Sequence, residues 1–402
     1  MSDADSLKVP FSRPSIGPEE EQAVLEVLRS GWLTTGKHAL AFEKEFSEAV
    51  SRVPGTRDTR PVISLAVNSN TSGMLLAMEA CGVTAGTAVI TTPYTFVSTA
   101  ACARHLGADV YFADLEPDTY SIDPDAVERI LASEKGKKVK AVIPVHIAGT
   151  LCNMKRICAI ADAYGVKVIE DAAHAYPSPT GMGYAGTIGD AGVFSFYVTK
   201  TLTTAEGGMV CTRDPELARR MTVMRMHGMD RTTWDRYTSP KASWEYDIIA
   251  PGYKFNLPDI LAALGREQLK KADGFFERRV RIVRQYNEAF RNLDFIRLPP
   301  DGEGNAWHLY IIRIRPEKLT IDRERFAKEL QRAGIGISVH FIPLFHFTYW
   351  QQLYPGFTAQ AYPHAETQYQ TSISIPLWPD MTDGMVSDVI AAVKAVGERF
   401  HA

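Results

Sequence analysis

The sequence predicts an α/β protein built on a mostly parallel seven-stranded sheet, with a smaller C-terminal α+β body. Three observations predict it. Seven short apolar runs alternate with helical stretches between about residues 60 and 215. Several runs are β-branched on both faces, as in strands covered by helices on each side. The stretches between them are long enough for the crossovers that parallel strands need.

The strand runs, in order, are Val62–Val67, Ala88–Thr92, Asp109–Phe112, Ala141–Val145, Val166–Ile169, Gly192–Phe196 and Gly208–Cys211. The helical stretches among them are TSGMLLAMEAC, FVSTAACARHLG, DPDAVERILAS and NMKRICAIADAYG. From Asp259 apolar residues recur at three- and four-residue spacing, from Leu261 through Phe276 to Phe290, which predicts long helical structure ending near Asn292. A strand over 308–315, a helix over Arg323–Ala333, a strand over 336–342 and a helix over Asp388–Arg399 complete the smaller body. The expected division is residues 1–258 for the N-terminal segment and large domain, and 259–402 for the smaller one. The polar, aromatic-rich stretch Asp230–Ile249 is assigned no regular structure. Trp234, Arg236 and Tyr237 within it suggest a substrate loop without assigned contacts.

The chain has 402 residues, a formal net charge of −3, 45% hydrophobic and 23% charged residues. These values exclude disorder, collagen and coiled coil as global classes. The near-neutral balance gives no reason to expect nucleic acid or an anionic membrane as partner. The five cysteines show no C-x-x-C spacing, so neither structural zinc nor a disulfide framework is expected. MSDADSLKVPFSRPSIG has no apolar h-region, so no signal peptide is expected, and no run approaches the roughly 18 residues of a membrane span. The expectation is a cytoplasmic, metal-free enzyme.

Lys200, in FSFYVTKTLTTAEGG, follows one buried strand and precedes another. A lysine at a strand end becomes a Schiff-base nucleophile when its pKa is depressed. Asp171, in VIEDAAHA, ends a buried strand, where an acid can hold a protonated heterocycle. Thr71 and Ser72 begin a helix after a strand, a seat for a phosphate. Phe96 follows another strand end, where an aromatic can stack on a flat ring. Ser195, five residues before Lys200, offers a hydroxyl. Taken singly, a surface lysine, a helix-capping aspartate or serine and a core phenylalanine are the commoner explanations. Taken together, the four features form the parts of a pyridoxal phosphate (PLP) site, each at a strand end of one sheet.

With these motifs in place, the chain resembles the DegT/DnrJ family of sugar aminotransferases. The resemblance runs from PFSRPSIGPEEEQAVLEVLRSGWLTTG through SNTSG, TPYTFVST, VIPVHIAGT, VIEDAAHA, FSFYVTKTLTTAEGG and GYKFNLPDILAALGREQL to ISVHFIPLFH. It implies the type I PLP-dependent transferase fold. HGMDRTTWDR and GYKFNLPD look closest to the branch acting on the 4-keto carbon of nucleotide-linked sugars. By resemblance, Lys200 carries the cofactor and shuttles the proton, and Asp171 faces the pyridine nitrogen. His174 lies near the ring's phenolic oxygen, and Phe96 covers the ring. Thr71, Ser72 and Ser195 hold the phosphate. Asn256 reaches a phosphate across a dimer interface, with Lys254 as its rival, and His340 lines the sugar pocket. The resemblance departs at Asn70, where the family often has Gly. Asn tolerates a left-handed turn, so the turn is expected to survive.

The implied activity converts a nucleotide-linked keto sugar, a 4-keto-6-deoxyhexose or 4-keto-pentose, to the amino sugar. L-glutamate is the donor, 2-oxoglutarate the co-product, and a homodimer the active unit. The alternatives are a cyclitol ketone aminotransferase and a non-catalytic PLP-binding regulator. A nicotinamide-binding reading fails because no G-x-G-x-x-G follows the first strand.

Overall fold

The computed structural model describes residues 7–230 and 245–402; Trp234, Arg236 and Tyr237 lie outside the described residues. The main sheet comprises β1 (Ile63–Val67), β2 (Ala88–Thr91), β3 (Asp109–Phe112), β4 (Val139–Val142), β5 (Lys167–Asp171), β6 (Ala191–Ser195) and β7 (Gly208–Thr212). Their spatial order is β1-β7-β6-β5-β4-β2-β3. Pairing is parallel from β3 through β2, β4 and β5 to β6, while β7 runs antiparallel to both its neighbours. All seven predicted runs become these strands, each displaced by a few residues at most.

The parallel strands are joined by helices. In chain order, α1 is Pro18–Ser30, α2 Lys37–Val50, α3 Asn70–Ala80, α4 Ser98–His105, α5 Pro124–Leu131, α6 Met154–Tyr164 and α7 Pro215–Arg225. α3 presses hard onto the sheet. A Cβ added at Gly73 would come within 2.6 Å of Val193 and 2.8 Å of Val210, so only glycine allows this approach. That close packing seats the start of α3 at the strand ends.

Beyond the sheet, α8 (Asp259–Phe290) spans 32 residues. Its first half packs under α1 and α2, with Ala262 and Ala272 in the core beside β1 and β7. Its second half puts Ile282, Val283, Tyr286 and Phe290 into the core of the smaller body. The proposed division at residue 259 therefore falls at the start of a helix that serves both cores. The smaller body holds β8 (Ile296–Arg297), β9 (Tyr310–Ile314) and β10 (Ser372–Ile375) in an antiparallel sheet, with α9 (Arg323–Arg332), α10 (Thr348–Leu353), α11 (Pro363–Thr371) and α12 (Asp383–Arg399).

Two expectations about this body are corrected. Residues 336–342 form no strand. Their backbone is engaged by the N-terminal segment, with Gly336 N–H donating to Val9 C=O at 2.8 Å, and only Ser338 bridges to Ser374. The last helix begins at Asp383 rather than Asp388, because Thr382 Oγ1 accepts the Met385 N–H at 3.1 Å and caps it. Among the described residues, no helix is long and apolar enough to cross a membrane.

One buried carboxylate ties the layers together. Asp259, in the first turn of α8, accepts the backbone N–H groups of Gly36 (2.7 Å), Ala39 (2.9 Å) and His38 (3.2 Å) at the start of α2. Asp259→Ala strands these donors in a buried junction. It should lower unfolding stability by about 3 kcal/mol, read as an earlier urea midpoint; an unchanged midpoint would remove Asp259 from this role.

Candidate active site

β5 ends in two consecutive carboxylates that point to opposite sides of the strand. Glu170 turns to the structural side. It accepts N–H groups from Gly186 (2.9 Å), Ile188 (2.7 Å) and Gly189 (2.8 Å) and contacts His146 Nε2 at 3.0 Å. Asp171 turns into a cavity of about 500 Å³ at the C-terminal ends of the strands. Its Oδ2 accepts the Thr99 hydroxyl at 2.7 Å and its Oδ1 the Ala173 N–H at 3.2 Å. Burial pushes the Asp171 carboxyl up, while these two donors pull it back. Among the described residues, no Lys, Arg or His lies within ion-pair distance of it.

Lys200 enters the same cavity from the turn after β6. The register explains why: β5 and β6 pair with Asp171 opposite Val193, so the chain leaving β6 passes over the end of β5. The turn is strapped by Lys200 N–H to Tyr197 C=O (2.9 Å) and by the Thr203 hydroxyl to Phe196 C=O (3.1 Å). Burial lowers the Lys200 pKa from the usual 10.5 to about 8, against the opposing pull of Asp171.

The start of α3 supplies the third wall. Ser69 caps the helix, its Oγ accepting the Ser72 N–H at 3.1 Å, and Ser69, Asn70, Thr71 and Ser195 all line the cavity. The expected left-handed turn at Asn70 is not used. Asn70 is the first helical residue, and its side chain donates to Val193 C=O at 3.0 Å. A short polar side chain at this position satisfies the strand end instead of relieving a turn.

The mouth is lined by aromatic and imidazole rings. Phe96 is 58% exposed and tilts against Phe341 at 6.1 Å. His174 and His308 lie 4.4 Å apart between ring centres. Ala148, held at φ 61°, donates its N–H to His174 Nδ1 (3.1 Å) and accepts the His308 N–H (3.0 Å). His340 Nδ1 is 2.9 Å from Ser374 Oγ, and its carbonyl accepts the Tyr94 hydroxyl at 2.5 Å. Burial holds His174 and His308 well below the ordinary histidine value and lowers His340 to about 4. The imidazoles are therefore neutral at physiological pH.

Lys200, Asp171, Thr71, Phe96, His174, Ser195 and His340 are thus brought to one cavity. Ser72, Asn256 and Lys254 are not in its wall. The Ser72 hydroxyl is turned to Ser69 Oγ (3.0 Å). Asn256 donates to Thr35 Oγ1 (2.6 Å) and accepts from Lys254 Nζ (2.7 Å), beside the end of β1. Sequence reasoning missed Thr99 and His308. His308 had one available signal, a histidine opening an otherwise apolar strand. Thr99 had none, since the aspartate it serves is 72 residues away.

Comparison with known proteins follows the same lines. The family model described as the DegT/DnrJ/EryC1/StrS aminotransferase family matches residues 14–394. The chain is 41% identical over 391 residues to the spore coat polysaccharide biosynthesis protein SpsC of Bacillus subtilis, covering 96% of this chain and 97% of SpsC. Its structure resembles Helicobacter pylori PseC, an aminotransferase involved in the biosynthesis of pseudoaminic acid. That match has TM-score 0.86 and 29% identity, covering 98% of this chain and all of the other. It also resembles a Streptococcus pneumoniae protein assigned as a sugar aminotransferase and solved in its PLP form. Here the TM-score is 0.86 and the identity 30%, over 97% of this chain and 99% of that one.

The depressed Lys200 pKa has a thermodynamic signature. Below both pKa values each state carries the proton, and the folded state bears the cost of a buried ammonium. Lys200→Met should therefore stabilise the cofactor-free protein at pH 7 by about 1–3 kcal/mol. The gain should shrink as pH rises from about 8 to 10.5, as wild type comes to fold with a neutral amine. Denaturant titrations at several pH values read it; a variant less stable at pH 7 would mean that Lys200 is not buried as a strained cation.

Proposed function

The chain belongs to the DegT/DnrJ/EryC1/StrS aminotransferase family, whose members are PLP-dependent sugar aminotransferases, and from that premise we propose its reaction. It transfers the amino group of L-glutamate to the keto carbon of a nucleotide-linked 4-keto-6-deoxyhexose or 4-keto-pentose. The observation that carries the reading is a buried carboxylate with no Lys, Arg or His in ion-pair distance among the described residues, facing the same cavity as a half-buried lysine of lowered pKa. A protonated pyridine ring supplies the cation that Asp171 lacks, and a helix start with Ser and Thr beside it suits a phosphate.

Bound PLP supplies the electron sink that lets an amine's α-carbon release its proton. The chain's residues do the rest. Asp171 would hold and orient a ring N–H, with the Thr99 hydroxyl and the Ala173 N–H opposing the upward push of burial on its carboxyl. Thr71 and Ser195 would hold the phosphate, and Phe96, at the cavity mouth, would stack on the ring. Lys200 Nζ, with its pKa near 8, takes the α-proton of the donor as a neutral amine and returns a proton as an ammonium. His174, His308 and His340, uncharged, offer hydrogen bonds to sugar hydroxyls. Polar but neutral groups suit a polyol substrate better than a charged side chain would. SpsC and PseC, by their names, serve polysaccharide and amino sugar biosynthesis, and a role in such biosynthesis is proposed here.

The proposed active unit is a homodimer in the cytoplasm. Leu25, Leu28, Leu33 and Leu40 on α1, α2 and their connection are each more than 40% exposed, as are Phe96 and Tyr197 at the cavity mouth. Apolar exposure of this density marks a protein interface. Asn256 lies outside the cavity wall of its own chain, and its proposed role is to serve the neighbouring one.

Purified protein with PLP should show an absorbance band that L-glutamate bleaches, and keto sugar nucleotides should restore it. Lys200→Ala should keep the fold and lose turnover to background. Restoration by cyclitol ketones alone would replace the sugar substrate, and wild-type-like turnover by Lys200→Ala would overturn the mechanism. Light scattering should give twice the 44.6 kDa chain mass; a fully active monomer would remove the shared-site reading.

A further inference from the structure

A second concave site lies on the smaller body, sharing no lining residue with the catalytic cavity. It encloses about 400 Å³ between β9, α11 and the loop joining β3 to α5. Three guanidinium groups line it: Arg297, Arg313 and Arg315. Two carboxylates oppose them, Asp118 and Glu317. Asp118 Oδ1 is shared between Arg297 and Arg313, the latter at 3.5 Å. Among the described residues, Arg315 has no carboxylate within ion-pair distance. The site therefore carries an excess of positive charge.

Arg313 is the residue that makes this more than a surface patch. It is 92% buried, on a strand whose neighbours are Ile311, Ile312 and Ile314. Burying a guanidinium costs solvation that an aliphatic residue would not. Its carboxylate contact is long and shared, and its other neighbour is the Tyr120 ring at 5.9 Å. Gln368, also buried, closes the floor, its amide donating to Thr119 C=O. The fold gains little from an arginine here; an anion seated in the cleft gains much. Planar guanidinium forks match the paired oxygens of a phosphate. A concavity of about 400 Å³ matches a small molecule better than a polymer.

We propose that this cleft is a second binding site, specific for a small phosphate-bearing molecule held by Arg297, Arg313 and Arg315. Its position ties it to the catalytic end of the chain. Arg313 pairs with Ser372 on β10, and two residues further Ser374 holds His340. The occupant sits against β9, the strand paired with the one that positions a wall of the catalytic cavity.

The test uses PLP-loaded holoenzyme, so that the cofactor's own phosphate seat is filled. Inorganic phosphate and glycerol 3-phosphate are titrated at constant ionic strength by calorimetry and by thermal melting. Saturable binding with a rise in melting temperature is expected for at least one of them. Arg297→Gln/Arg315→Gln, at two sites outside the core, should weaken it by about tenfold or more, with the cofactor absorbance unchanged. Tighter binding of the ester than of free phosphate identifies the ligand as esterified. No saturable binding by wild type, or equal binding by the double variant, overturns the proposal.

Discussion

The parallel pairing of β5 with β6 is the constraint on which the rest of the site depends. Its register sets Asp171 at the cavity edge, opposite Val193. Six strands of the sheet run one way, so their C-terminal ends share one rim. A residue that follows any of those ends reaches the same space. The alternation of side chains along β5 then divides two adjacent acids between two tasks. Glu170 closes a loop by accepting three backbone N–H groups, and Asp171 faces the cavity with one backbone N–H and one hydroxyl. One residue of slip would exchange their roles.

Electrostatics of the cavity follow from burial more than from pairing. Lys200 and three histidines share a space where they are partly or wholly desolvated, and each loses affinity for its proton there. Asp171 moves the other way for the same reason. The result is a pocket of neutral imidazoles around one carboxylate and one amine close to its working pKa. A protein built this way destabilises itself in the absence of cofactor and recovers that free energy on binding.

Much of this was legible in the sequence because buried parallel strands are apolar on both faces and so stand out as runs. The residues after those runs, Asp171 and Lys200, became visible by position and by resemblance. The smaller body read less well. Residues 336–342 have strand composition, but Gly336 pairs with Val9, more than 320 positions earlier, and Ser338 alone bridges to Ser374, which no local pattern reports. Ser372–Ile375 alternates serine with isoleucine over four residues, too short to register as a strand. Thr99 and His308 act through partners distant in sequence, and only the folded chain joins them.

The long helix α8 carries a mechanical consequence. At 1.5 Å per residue its 32 residues form a strut of about 48 Å. One end is clamped through Asp259 to the N-terminal helices, and the other is embedded among Tyr286, Phe290 and the small sheet. Two bodies strung on one unbroken rod cannot swing apart like jaws on a flexible tether; relative movement requires the rod itself to bend. The helix therefore resists changes in the width of the cavity between them. Choice among substrates then leans on the chemistry of the cavity walls more than on a wide swing of the two bodies.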